Sequence, residues 1–350
     1  MKEIKTVLVT GSHGYIGSLL TPLLAQAGFR VIGLDTGYFD NPKCVFKQHD
    51  NCEDKFIKKD IRMITSKDLE GVDAICHLAA LSNDPMGAID PQLTRDINLI
   101  ASTKLAQLAK KCGVQKFLFS SSCSVYGALG DKIITEKYPV DPKTAYALSK
   151  VEFEKVLLKL ADKNFCPVIL RNATAYGSSP KLRLDLVLNN FAANAFVCGE
   201  IKIMSDGTPW RPMIHAEDIA RLFVALLKAP AKKVHNQIIN CGQNKENFQV
   251  RNIATLVQKN QKGVRVSYAT QPDKDSRTYK VSFDKLHRIL PDFKFKWTLK
   301  KATQELRNDF QKIGLTQNVL ASRNFVRLAQ LQHLAQNKII DHKFFWKNEK

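Results

Sequence analysis

The chain has 350 residues, 44% of them hydrophobic, which is material for one large domain or two smaller ones with a sizeable core. No run of about 18 apolar residues occurs, which argues against a membrane span, and Lys2 and Lys5 before the short run Val7–Val9 do not read as a signal peptide. Eight cysteines without a Cys-x-x-Cys pair, and a net charge of +20 with no basic block, point to a reduced, cytoplasmic protein with a solvated basic surface. They argue against a disulfide framework, a metal site or a nucleic-acid binder.

In chain order, residues 4–10 read as a buried strand that enters a glycine turn. A helix follows from Ile16 to Ala27, ended by Gly28, and a second strand covers 30–35. This strand–turn–helix–strand order is a βαβ unit. The alternation continues with a strand at Val72–Leu78, a helix at Pro91–Cys112 and a strand at Lys116–Ser121. A helix at 144–162 and a strand at Pro167–Arg171 complete it. Apolar strands alternating with helices predict an α/β fold, a doubly wound parallel sheet of the Rossmann type.

After Arg171 the texture changes to Gly-, Pro- and Ser-rich loops between charged segments. The reading assigns 1–171 to the cofactor-binding domain and 172–212 with 242–314 to a smaller substrate-binding region. Residues 213–240, a helix at 216–228 and a strand at 236–240, return to the sheet. In the tail, 315–350, Phe325, Leu328, Leu331 and Leu334 repeat every third residue. They predict an amphipathic helix packed on the body or on a second subunit.

Gly11-Ser-His13-Gly14-Tyr15-Ile16-Gly17 follows a strand and opens a helix. Glycines there let the backbone turn tightly and approach a pyrophosphate, which the free N–H groups of the helix N-terminus bind. Asp35 ends the next strand, where a carboxylate holds the 2′-hydroxyl of an adenosine ribose and repels a 2′-phosphate. NAD is therefore expected rather than NADP. Further on, Tyr146 and Lys150 share a helix face one turn apart. A lysine charge stabilises a phenolate whose free pKa lies near 10. Ser122, just past the Lys116–Ser121 strand, supplies a hydroxyl for the reacting oxygen. Together these three form a proton-transfer set for an alcohol or ketone.

With these motifs in order, the chain resembles the extended short-chain dehydrogenase/reductase superfamily, in its branch of nucleotide-sugar epimerases, dehydratases and reductases. The resemblance covers about residues 5–312. It implies adenine contacts from Asp60-Ile61, a cofactor-side segment His77-Leu78-Ala79-Ala80, and Asn98 beside the active site. Phe119–Gly127 resembles the serine-strand signature, with Ser122 in the catalytic position. Arg211-Pro-Met-Ile-His215-x-x-Asp218 resembles the segment whose arginine binds the sugar nucleotide's diphosphate, and Asp275-x-Arg277 a second nucleotide-side element.

The departures narrow the reaction. Cys123 and Ser124 stand where 4,6-dehydratases carry an acidic pair, which disfavours dehydration. Cys123 lies one residue from the position of the cysteine used in C3 or C5 epimerisation, so it reads first as packing and second as a substrate contact. Thr174 stands where an asparagine meets the substrate, and Asn83-Asp84-Pro85 reads equally as pocket lining or as a turn. The substrate set is thus Asn83, Cys123, Ser124, Thr174, Arg211 and Arg277. The expected activity is an NAD-dependent nucleotide-sugar epimerase, most simply at C4. The alternative is a nucleotide-linked ketosugar reductase, and family members imply a homodimer.

Overall fold

The computed structural model describes residues 3–48, 52–82, 84–88, 90–270 and 278–347, without the side chains of residues 129 and 131. Asn83 and Arg277, both expected at the substrate, lie outside the described residues.

The strands are β1 (Thr6–Thr10), β2 (Arg30–Asp35), β3 (Lys55–Lys58), β4 (Ala74–His77), β5 (Lys116–Ser122), β6 (Ala128–Ile134), β7 (Cys166–Asn172), β8 (Thr174–Tyr176), β9 (Glu200–Ile203), β10 (Trp210–His215), β11 (Gln237–Cys241), β12 (Asn247–Gln249), β13 (Arg265–Tyr268) and β14 (Thr278–Val281). Among the described residues the main sheet has seven strands in the order β11-β7-β5-β4-β1-β2-β3. Every neighbouring pair is parallel. The side chains of β1 alternate between two layers, as strand geometry requires. Val7 and Val9 join Leu20, Leu24 and Phe223 on one face, and Leu8 joins Leu105, Phe153 and Leu157 on the other. Helices cover both faces, which is why these strands read as unbroken apolar runs. The chain leaves β1 for β2 on one side and later fills the other side with β4, so a crevice opens at the strands' C-terminal ends.

The helices that matter here are α1 (Gly17–Gln26), α2 (Asp84–Gly87), α3 (Pro91–Arg95), α4 (Ser102–Lys111), α5 (Ala145–Leu160), α6 (Val187–Cys198) and α7 (Ala216–Lys228). The helix expected to run unbroken from Pro91 to Cys112 contains a π-helical turn, Asp96–Ala101, between α3 and α4. Asn98 sits in that turn. Its Oδ1 accepts from the Leu81 N–H (2.9 Å) and its Nδ2 donates to the Leu81 carbonyl (3.1 Å). The turn therefore occurs where a side chain reaches out to fix the loop after β4.

A third core joins Leu188 and Phe191 of α6, Ile201 and Ile203 of β9 and Phe310. Beside it, β8, β10 and β12 form a three-stranded sheet, β9 pairs with β13, and β6 pairs with β14. Of residues 213–240, α7 packs against the β1 layer and β11 extends the main sheet. β10 instead pairs with β8 and β12. In the tail, the helix spans Arg327–Gln336, and Phe325 precedes it in a 3₁₀ turn. Leu331 and Leu334 pack on the body's own core. Among the described residues no helix is long and apolar enough to cross a membrane.

Candidate active site

One cleft of about 730 Å³ follows the C-terminal ends of β1, β2, β4, β5 and β7. At its cofactor end, Gly11 has φ +75° and donates its N–H to the Leu34 carbonyl at 2.8 Å. A Cβ on Gly17 would stand 2.1 Å from the Gly11 carbonyl oxygen, so the turn closes only with glycine at its third position. Asp35 lies beside it. Its carboxylate accepts from the Gly37 N–H (2.9 Å) and the His13 N–H (3.1 Å). Burial pushes this carboxyl up, and the Gly37 amide pulls it back. Gly14, Tyr15, Ile16, Asp60, Ile61 and the Leu78–Ala80 segment line the same end. A cradle that no side chain could share, with a carboxylate at its rim, fits a dinucleotide.

Ser122, Tyr146 and Lys150 line the other end of the cleft. Ser122 is the last residue of β5, one further along the strand than the sequence predicts, where it faces Asn172 of β7. Its hydroxyl accepts from the Ser124 N–H at 3.1 Å and hydrogen-bonds Tyr146. Thr144 caps α5 by accepting from the Ala147 N–H at 3.1 Å, which sets Tyr146 on the first turn and Lys150 on the second. Lys150 Nζ donates to the Ser120 carbonyl at 2.9 Å and lies 5.5 Å from the Tyr146 ring centroid. The expectation was that its charge depresses the tyrosine. In this structure burial drives Tyr146 up to about 12, Asp84 adds to that, and the Ser122 hydrogen bond opposes it. Burial also lowers Lys150 to about 7, against the pull of Glu154. Desolvation thus removes much of the ammonium charge that was to act on the phenol.

Three residues expected at ligands are placed elsewhere. The His13 ring stacks on Phe56 at 4.1 Å and lies 2.8 Å from Asp40 and 3.3 Å from Glu53. Its backbone N–H donates to Asp35, and His13 is not part of the cleft lining. Asn98 acts on the Leu81 backbone, one step behind the cleft wall. Cys123 is 1% exposed and its thiol donates to the Arg171 carbonyl at 3.2 Å, which matches the packing reading. Ser124, Thr174 and Arg211 do line the cleft. The Tyr15 hydroxyl donates to the Gly177 carbonyl at 2.6 Å, so it ties the glycine turn to the second region.

Besides Asp84, which the sequence offered as pocket lining or as a turn, the cleft has a charged wall that the sequence reading missed. Arg183 and Asp185 pair at 2.8 Å, and Arg183 also donates to Ser82 at 3.0 Å. Asp84 accepts from Thr144. All of these except Thr144 line the cleft. Lys181-Leu-Arg183-Leu-Asp185 alternates charge with leucine and so reads as a surface strand. Leu182 and Leu184 bury into the third core, and that turns the charges inward. Asn172, at the end of β7, lines the cleft too. Its Oδ1 and Ser124 Oγ are buried with no partner among the described residues, and both residues belong to the cleft lining.

Residues 7–242 match the NAD dependent epimerase/dehydratase family. UDP-glucose 4-epimerase 1 of Oryza sativa subsp. japonica is 25% identical over 335 residues, 87% of this chain and 93% of that protein. Among solved structures, an NAD dependent NDP-hexosamine 5,6-dehydratase of tunicamycin biosynthesis superposes with a TM-score of 0.78 at 23% identity, over 88% of this chain and 98% of that one. The UDP-glucuronic acid 4-epimerase of Bacillus cereus, solved with UDP-glucuronic acid and NAD, gives 0.75 at 24% identity, over 88% and 99%. At these identities the two structures speak for the fold alone. The family match spans the glycine turn, the Ser122–Tyr146–Lys150 wall and Arg211, so the chain belongs to the NAD dependent epimerase/dehydratase family, with NAD as its cofactor.

Proposed function

We propose that this protein is a nucleotide-sugar epimerase that inverts one sugar carbon, most simply C4, through a transient keto sugar. The observation that carries the reading is the single cleft shared by the glycine turn, Asp35 and the Ser122–Tyr146–Lys150 set. The C4 position is supported by relatives named as UDP-glucose 4-epimerases. When bound, NAD supplies the hydride acceptor and, oxidised, a positive ring. Tyr146, in the phenolate form that such a ring and the Ser122 hydrogen bond favour, takes the proton of the reacting hydroxyl and later returns it, which is general base then general acid work. Ser122 holds the reacting oxygen, whose charge grows in the transition state. Lys150, tied to Ser120, fixes the floor beneath them. Ser124 Oγ and Asn172 Oδ1 offer hydrogen-bonding sites to the sugar, and Arg211 offers a cation to the diphosphate.

The test uses protein as purified. It is denatured, the released nucleotide is identified by mass, and native protein is incubated with UDP-, GDP-, dTDP- and CDP-sugars without added cofactor. Bound NAD with interconversion of two sugars is expected. Turnover only with supplied NADH or NADPH and a ketosugar would contradict it in favour of a reductase. The same reading includes a homodimer. Ile100 in the π turn and Leu148 on α5 are 52% and 47% exposed, apolar groups suited to a helical interface. A monomer in sedimentation at micromolar concentration would contradict it.

A further inference from the structure

The tail closes over the cofactor end of the cleft. After α8 (Leu299–Ile313) the chain turns back to α9 (Arg327–Gln336). Val326, Arg327, Leu328 and Leu331 then line the same cavity as the glycine turn and Asp35. The segment beyond this helix grips the loop after β2. Trp346 Nε1 donates to the Thr36 carbonyl at 2.8 Å, and the Tyr38 hydroxyl donates to the Phe344 carbonyl. Arg62, paired with Asp60 at 2.7 Å, donates to the Lys343 carbonyl at 2.7 Å and lies 3.8 Å from the Phe345 ring. Ile340 and Phe344 are buried in the body's core.

Arg327 is the unexplained group in this arrangement. Its residue is 3% exposed. Nη2 donates to the Lys181 carbonyl at 2.8 Å, and the guanidinium lies 4.0 Å from the Phe39 ring. Nη1 is buried with no partner among the described residues. The neighbouring cations are neutralised: Lys181 lies 3.0 Å from Asp40 and Arg183 2.8 Å from Asp185. No such carboxylate contact reaches Arg327 among the described residues. Burial and the charge of Arg183 push it down to about 10, which Asp185, Cys44 and Asp35 oppose only in part. A buried guanidinium with a free N–H and no counter-ion among the described residues is costly by itself. It becomes favourable when an anion with paired oxygens meets it.

We infer that Arg327 is a ligand to the diphosphate of the bound dinucleotide, so that the C-terminal extension acts as a clasp that retains the cofactor. The inference rests on the cleft's reading as the NAD site. It explains why a tail remote in sequence from the glycine turn lines the same cavity as that turn. It also suits a reaction in which the cofactor must stay bound from one turnover to the next.

The experiment measures binding of NAD, ADP, 2′-AMP and adenosine to full-length wild type, Arg327→Gln and Arg327→Lys by calorimetry, after removal of bound nucleotide. Loss of one charge-assisted contact predicts that Arg327→Gln weakens NAD and ADP by about 10- to 100-fold, with adenosine unchanged and Arg327→Lys in between. Trp346→Ala, which loosens the tail without touching the cleft, is expected to speed NAD release several-fold in a displacement assay. It also serves where Arg327→Gln fails to fold. Unchanged ADP affinity in Arg327→Gln would overturn the inference while leaving the NAD site standing. So would an equal loss for adenosine, which marks packing alone, or a loss confined to 2′-AMP, which marks the ribose position. If Arg327→Gln does not fold, unchanged ADP binding by Arg327→Lys and unchanged NAD release by Trp346→Ala overturn it. Wild type that binds neither ADP nor adenosine overturns the cleft reading and the inference with it.

Discussion

At the scale of single residues, the proposed reaction gives Tyr146 and Ser122 separable duties. In the proposed reaction Tyr146 moves a proton, so Tyr146→Phe is expected to lower kcat by about 10²- to 10⁴-fold while the protein still purifies with NAD. Ser122→Ala removes one hydrogen-bond donor from the reacting oxygen and is expected to cost about 10²- to 10³-fold. Steady-state rates and the nucleotide released on denaturation check both, and retention of near-normal kcat in Tyr146→Phe would remove it from the proton path. His13 carries a prediction about pH. Burial opposes its charge, but the bonds to Asp40 and Glu53 outweigh that and raise it to about 10. A group raised in the folded state stabilises fully below its unfolded value of about 6.5, and that stabilisation is lost as pH climbs through 10. The Tm gap between wild type and His13→Gln should therefore be widest near pH 6 and shrink towards pH 10. A gap independent of pH would mean that the Phe56 stacking, not the charge, is what His13 contributes.

At the scale of elements, β5, α5 and β7 are joined by a buried polar network behind the catalytic wall. Arg171 of β7 lies 2.6 Å from Glu154 of α5. Ser121 donates to Glu154 at 2.5 Å. Arg171 also donates to the Tyr126 hydroxyl at 3.0 Å, which in turn donates to Asn240 at 2.7 Å. Glu154 stands one turn beyond Lys150, so the network fixes the helix face that carries the lysine. Arg171→Met leaves Glu154 buried and unpaired and is expected to cost about 3–5 kcal/mol of stability, read by urea unfolding. A cost under about 1 kcal/mol, the level of an exposed pair, would mean that the site relaxes around the loss. Elements of this kind were half legible in the sequence. Tyr146-x-x-x-Lys150 and the strand ending in three serines announce the wall, because helical and strand periods act locally. Glu154 and Arg171 meet across 17 residues where α5 packs on β7, which no local spacing encodes. The π turn at Asn98 was hidden for the same reason, since its cause is a contact with Leu81.

At the scale of the whole molecule, the parallel sheet was legible because its strands are apolar on both faces and its first turn needs glycines that no other residue can replace. The tail was legible as an amphipathic helix from Leu328, Leu331 and Leu334, but its destination was not. Arg327 looks like a surface charge until the fold folds it against Phe39 and Lys181. The charged wall at Arg183 and Asp185 was missed similarly, because alternation with leucine says which residues face together and not which way. What the assembled molecule offers is one cleft lined by the glycine turn and by Ser122, Tyr146 and Lys150, and the proposed reaction makes a claim about a hydrogen atom. The most direct measurement follows a substrate deuterated at the carbon that inverts, turned over in ordinary water with no added nucleotide. Transient oxidation with return of the same hydride predicts that the epimeric product keeps its deuterium at that carbon. Exchange of the label for solvent hydrogen, with the product formed at the same rate, would contradict the account and show that the carbon is inverted by proton removal instead.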